Sequence, residues 1–210
     1  MKKSLLLLLC LLAVITVKAQ SNEPPSNVIK VSGGLDFITS KMYLPDYTTG
    51  TDKVKATSWQ PGVSALVDYE HFWKSGWGFG VNFMYNDTRY SIDGYGASVS
   101  LALRSAYFGP SLLYSGCFND HWRVECGWGM GYGRLGGDLA DYGGFGMMLK
   151  AGIEYMVNRH FGVGVELNEL VIYTKEDETM KEFKKYYTSE SEVLSGMSCL
   201  GLAAGVRFYF

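Results

Sequence analysis

The feature that most constrains this chain is an alternation of period two that returns in segment after segment. Leu200, Leu202, Ala204, Val206, Phe208 and Phe210 are apolar, and Gly201, Ala203, Gly205, Arg207 and Tyr209 lie between them. Successive side chains of a β-strand point to opposite faces, so such a stretch is a strand with one apolar face. Phe161, Val163, Val165 and Leu167 alternate in the same way with Gly162, Gly164, Glu166 and Asn168. Met147, Leu149, Ala151, Ile153, Tyr155 and Val157 alternate with Gly146, Met148, Lys150, Gly152, Glu154 and Met156. Trp122, Val124, Cys126, Trp128, Met130 and Tyr132 oppose Arg123, Glu125, Gly127, Gly129 and Gly131.

The N-terminal half follows suit. Trp77, Phe79, Val81, Phe83 and Tyr85 oppose Gly78, Gly80, Asn82 and Met84. Val63, Ala65, Val67 and Tyr69 oppose Ser64, Leu66, Asp68 and Glu70, and Val31, Leu35 and Phe37 oppose Lys30, Ser32, Gly34 and Asp36. Between Val99 and Gly116 the pattern is less clean. Leu101 and Leu103 oppose Ala102 and Arg104, but Gly109-Pro110 interrupts, and a proline removes a ladder donor, so a bulge or bend is expected there. The sum is eight predicted strands. Short turns are expected near 71–76, 117–121 and 158–160, and longer connections near 38–60, 86–98, 134–144 and 173–194. Short and long alternate, so one end of an up-and-down barrel is trimmed and the other carries loops.

Alternation alone does not say which face meets water. A soluble barrel puts its apolar phase inside. Here the polar phase is crowded with Gly and Ala, among 26 glycines in the chain. A solvated surface has no need of smallness, whereas the interior of an eight-stranded barrel has room for little else. Trp77, Tyr85, Trp122, Tyr132, Tyr155, Phe161 and Phe208 sit on the apolar phase toward strand ends, as in interfacial girdles. The expected fold is therefore an all-β, eight-stranded antiparallel up-and-down transmembrane β-barrel. Its lumen would carry Lys30, Arg104, Arg123, Lys150 and Arg207 against Asp36, Asp68, Glu70, Glu125, Glu154 and Glu166. Unpaired buried charge is costly, so this near balance points to a charge-paired lumen network; a selective pore or proton path is the alternative.

The ends fit a secreted protein. Lys2 and Lys3 precede an apolar run from Leu5 to Val17, too short to span a bilayer as a helix, and Val17-Lys18-Ala19 suits cleavage before Gln20. Residues 1–19 read as a signal peptide, 20–27 as a short N-terminal segment and 28–210 as the barrel domain. Cys10 lacks the small residues expected before a lipid-modified cysteine. Cys117, Cys126 and Cys199 form neither a disulfide framework nor a zinc motif. The net charge of −2 gives no basic field for nucleic acid.

The stretch Tyr155-Met156-Val157-Asn158-Arg159-His160-Phe161-Gly162-Val163-Gly164-Val165-Glu166 resembles the penultimate hairpin of OmpA-like outer-membrane barrels. The closing Gly205-Val206-Arg207-Phe208-Tyr209-Phe210 resembles the signal read by the barrel-assembly machinery, with Val206, Phe208 and Phe210 as its apolar phase. With the Ala19-Gln20 junction, the mature chain resembles the Bacteroidota outer membrane protein β-barrel domain family, grouped with OmpX/OmpW-like and PorT-like proteins. The resemblance implies the cell outer membrane, with outer-membrane lipid and the assembly machinery as partners; the long loops offer a site for an extracellular ligand or surface partner, the alternative being a solvated loop cap. No peptidoglycan-binding domain is expected after Phe210.

Other chemistry is poorly supported. Gly127-Trp128-Gly129-Met130-Gly131-Tyr132-Gly133 has strand spacing, not the spacing of a nucleotide-binding loop. Asn86-Asp87-Thr88 matches a glycosylation sequon by chance. An enzyme acting on outer-leaflet lipid needs groups near that leaflet, yet His71, His121 and His160 all fall at the short-turn end. Met180, Phe183 and Tyr187 would share one face of a short amphipathic helix in the 174–192 loop. No catalytic, cofactor or metal residue is expected. A structural or surface-interaction barrel, a narrow solute channel and a PorT-like secretion accessory remain open.

Overall fold

The computed structural model describes residues 26–39, 43–45, 53–55, 58–94, 97–137, 141–174 and 196–210. The signal segment 1–19 and the expected helix around Met180, Phe183 and Tyr187 lie outside the described residues. The strands are β1 (Asn27–Ile38), β2 (Tyr43–Pro45), β3 (Lys53–Lys55), β4 (Ser58–Trp59), β5 (Gly62–Phe72), β6 (Trp77–Gly94), β7 (Ala97–Cys117), β8 (Trp122–Gly137), β9 (Asp141–Asn158), β10 (Phe161–Thr174) and β11 (Gly196–Tyr209).

Eight of these strands close into a barrel. Each of β5 to β10 pairs antiparallel with its successor, and β1 pairs with both β5 and β11. The seam runs without a slip from Val28↔Tyr209 to Ile38↔Cys199. Closure leaves no unpaired edge, which is what a strand structure needs in hydrocarbon. The period-two reading is visible as burial. In β5, Ser64, Leu66, Asp68 and Glu70 are buried while Val63, Val67 and Tyr69 are exposed. The exposed set includes Phe79, Phe83, Trp128, Ile153, Val165, Leu202 and Phe208, an apolar belt that water would not tolerate.

The lumen is narrow because glycines line it. A Cβ on Gly146 would lie 2.7 Å from the Tyr107 ring, and one on Gly133 would lie 2.7 Å from Ile172. These glycines make room for the large side chains opposite. The short turns are pinned locally. Gly76 adopts φ 84°, and its amide donates to the Trp73 carbonyl at 2.9 Å. Asn119 Oδ1 accepts from the amides of His121 and Trp122, both at 2.9 Å. Trp77 packs edge-on against Tyr114, and Trp122 against Tyr155, which builds an aromatic girdle at this end.

Three expectations need correction. No bulge occurs at Gly109-Pro110: Val81↔Pro110 and Asn82↔Gly109 stay in register, and the β8 ladder resumes unshifted at Ser111↔Gly129. The ladder skips Gly109 and Pro110 only on the β8 side, where the missing donor is tolerated. The register shift lies instead at Phe161/Gly162. The stretches 86–98 and 134–144 are largely strand, since β6 and β7 pair out to Gly94↔Ala97 and β8 and β9 to Gly136↔Asp141. Once a ladder exists, each further pair satisfies two backbones, and that outweighs the turn preference of Asn, Asp and Gly. Arg104 does not face the lumen; its side chain is 60% exposed and lies 3.7 Å from Asp87. Its neighbours Ser105 and Tyr107 are the buried ones, so the inward phase of β7 is the odd-numbered one.

Candidate functional site

Among the described residues, the lumen is where this fold buries its charge. β1 supplies Lys30 and Asp36, β5 supplies Asp68 and Glu70, β8 supplies Arg123 and Glu125, β9 supplies Lys150 and Glu154, and β10 and β11 supply Glu166 and Arg207. All ten are buried. Their inward aim follows from strand alternation, and their depth follows from register, which sets Lys30 opposite Asp68 on one side and Arg207 on the other.

Nine of the ten lie in or against one network. Lys30 Nζ stands 2.8 Å from Glu70, 2.5 Å from Glu125 and 3.1 Å from Glu154. Lys150 Nζ donates to Asp68 at 2.9 Å and to Glu70, and lies 3.8 Å from Glu125. Arg207 donates from Nε to Glu154 at 3.1 Å, from Nη2 to Glu166 at 3.3 Å and from Nη1 to the Gly164 carbonyl at 3.2 Å. The Tyr209 hydroxyl donates to Glu154. Arg123 donates to Ser115 Oγ, and its guanidinium lies 4.6 Å over the Phe72 ring and 5.5 Å from the centre of Tyr209. Glu70 and Glu154 each bridge two cations, so the pairs form a continuous chain across the barrel interior. Asp36 stands apart, with no ion pair to any of the four lumen cations.

With Arg104 outside, the described residues place four cations in the lumen, Lys30, Arg123, Lys150 and Arg207, against six carboxylates. The balance expected from the sequence is replaced by an acidic excess.

Apolar layers lie on both sides of the charges. Val28, Phe72, Leu113 and Tyr209, backed by Met156, close the short-turn end. Toward the other end a larger cluster includes Leu66, Met84, Tyr107, Met148, Leu170 and Ile172. Sequence reasoning missed this second layer. The signal was there, since the inward phase of β10 runs from Glu166 and Asn168 directly into Leu170 and Ile172.

The histidines do not assemble a catalytic set. His71 Nδ1 lies 3.0 Å from Asn27 Oδ1, His121 Nδ1 3.3 Å from the Met156 carbonyl and His160 Nδ1 3.1 Å from the Tyr209 carbonyl. Each fastens the short-turn end. Cys117, Cys126 and Cys199 are free thiols. Val206, Phe208 and Phe210 keep the outward phase of β11, with Phe208 and Phe210 about half exposed.

Comparison with known proteins agrees with this geometry. The family model for the outer membrane protein beta-barrel domain matches residues 7–197. No curated protein matches the chain. Among solved structures the chain is similar to Neisserial surface protein A, with a TM-score of 0.53 and 17% identity over 88% of this chain and 97% of that one. It is also similar to the outer membrane protein OprG from Pseudomonas aeruginosa, with a TM-score of 0.55 and 12% identity over 89% and 97% of the two chains. At these identities the likeness is one of fold.

Proposed function

The chain belongs to the outer membrane protein beta-barrel domain family and lies in the outer membrane, and from that premise we propose that it is a plugged, non-enzymatic barrel that acts through its outward end. One observation carries the reading. The connected ion pairs of Lys30, Lys150 and Arg207 cross the lumen, and apolar side chains lie both above and below them. A path for solute would have to break several buried ion pairs and displace both apolar layers. The barrel then serves as a rigid membrane anchor. The extended β6–β7 and β8–β9 hairpins are the surface it offers to an extracellular ligand or partner. The exposed apolar belt contacts outer-membrane lipid.

Purified protein in planar bilayers tests the plug. No stable unitary conductance is expected from the wild type. A large, steady conductance would replace this reading with that of a solute channel. Val206, Phe208 and Phe210 are proposed as the assembly signal. Removing Phe210, which is 58% exposed, deletes little packing, so refolding in detergent should stay near normal. In cells the truncated chain should yield little heat-modifiable protein in the outer membrane. Normal insertion would refute that role.

A further inference from the structure

We infer that the lumen holds a monovalent metal cation of the sodium or potassium class, liganded by oxygens of Asp36, Asn168, Asn86 and Ser64. Asp36 is the carboxylate left out of the ion-pair chain. It is 0% exposed, and neither of its oxygens has a hydrogen-bond partner. Lys30, Lys150 and Arg207 are committed to other carboxylates, and Arg123 bonds Ser115 and lies over the Phe72 ring. Even Lys150, which lies opposite Asn168 on the ladder, directs its ammonium to Asp68 and Glu70. A buried carboxylate without a counter-charge is a strongly unfavourable arrangement. The surplus of carboxylates over cations in the lumen points the same way.

The surrounding side chains bring oxygens to Asp36. Asp36, Gly201 and Asn168 sit side by side across β1, β11 and β10. A Cβ on Gly201 would fall 2.0 Å from Asp36 Oδ1 and 2.4 Å from Asn168 Oδ1, so two oxygens converge over the bare glycine. Asn168 is also 0% exposed, and its amide has no partner. Asn86 turns its Nδ2 toward Cys199 Sγ at 3.3 Å, leaving its Oδ1 unpartnered. Ser64, opposite Asn86 on the β5–β6 ladder, brings its hydroxyl close to the Asp36 carboxylate. Converging acceptors with one formal charge and no sulfur or imidazole ligand suit a hard cation, and the single charge favours a monovalent one.

The test uses the full mature chain folded in detergent. Thermal midpoints are compared in sodium, potassium and choline chloride at equal ionic strength. The wild type should melt higher in sodium or potassium than in choline, with a gain that grows with concentration, because a ligand held only by the folded state stabilises it. Asp36→Asn should melt alike in all three. Equal wild-type midpoints, or the same cation response in Asp36→Asn, would overturn the site. A response to millimolar calcium with none to sodium or potassium would overturn the monovalent assignment. Should Asp36→Asn fail to fold, crystals of the wild type soaked in thallium(I) decide the matter. An anomalous peak among the four residues is expected, and its absence refutes the site. Bilayer conductance bears on the plug alone, so that reading and this one fail separately.

Discussion

The two halves of the lumen solve the same filling problem by opposite means. The half nearer the short turns is filled by charge, with Lys30, Arg207 and their carboxylates fixed at hydrogen-bonding distance. The half nearer the long connections is filled largely by Met84, Met148, Leu170 and Ile172, with buried Asp36 and Asn168 among them. Charge in a dry interior works only at one geometry, because each group needs its partners in place. Aliphatic packing tolerates small changes of shape at modest cost. The charged half therefore fixes the register of the barrel, and the apolar half fills the remaining space.

That contrast predicts a ranking of substitutions. Replacing Lys30 with Ala should cost most, about 3–5 kcal/mol, because Glu125 would keep only Lys150, 3.8 Å away. Equilibrium unfolding in detergent measures this, and adding Glu125→Gln should recover part of the loss. If the double variant is no better than the single, the charges are not coupled as described. Glu166→Ala should cost less, about 1.5–3 kcal/mol, since Arg207 retains Glu154 and the Gly164 carbonyl. A midpoint unchanged from wild type would show that Arg207 does not depend on Glu166. In the apolar half, Ile172→Val should shift the same transition by about 0.5–1.5 kcal/mol. A loss as large as that of Lys30→Ala would erase the distinction between the halves. The smallest effect, about 0–1 kcal/mol, is expected for Arg104→Ala, whose exposed pair with Asp87 is screened by solvent. A large loss there would return Arg104 to the lumen.

Alternation made the strands, their faces and the ten buried charges legible in the sequence, because a strand has only two faces and one of them meets lipid. What it misjudged follows from the same physics. Near Arg104 both phases are mixed, with Leu101, Leu103, Ser105 and Tyr107 on one and Ala102, Arg104, Ala106 and Phe108 on the other, so the local pattern did not fix the phase. The correct phase required the ladder, in which Ser105 lies opposite Leu135 and both are buried. The apolar outer lumen was missed because Leu170 or Met148 taken singly looks the same whether it meets lipid or a neighbour across the barrel, and only the phase shared with Glu166 and Asn168 places Leu170 inside. The ion-pair partners depend on which strands face each other across the interior, and a linear pattern does not carry that information.

The seam between β1 and β11 has a consequence in time. Every other barrel pairing joins successive barrel strands, though β2 to β4 lie between β1 and β5, and can form soon after both strands exist. The seam joins Val28 to Tyr209, so it waits for nearly the whole domain and is expected to be the slow, final step. Until then the sheet presents two raw edges and a wide apolar flank to whatever surrounds it. Such an intermediate invites pairing with other chains. The protein is most vulnerable just before closure, and its safe passage depends on how long those two edges are kept apart from strangers.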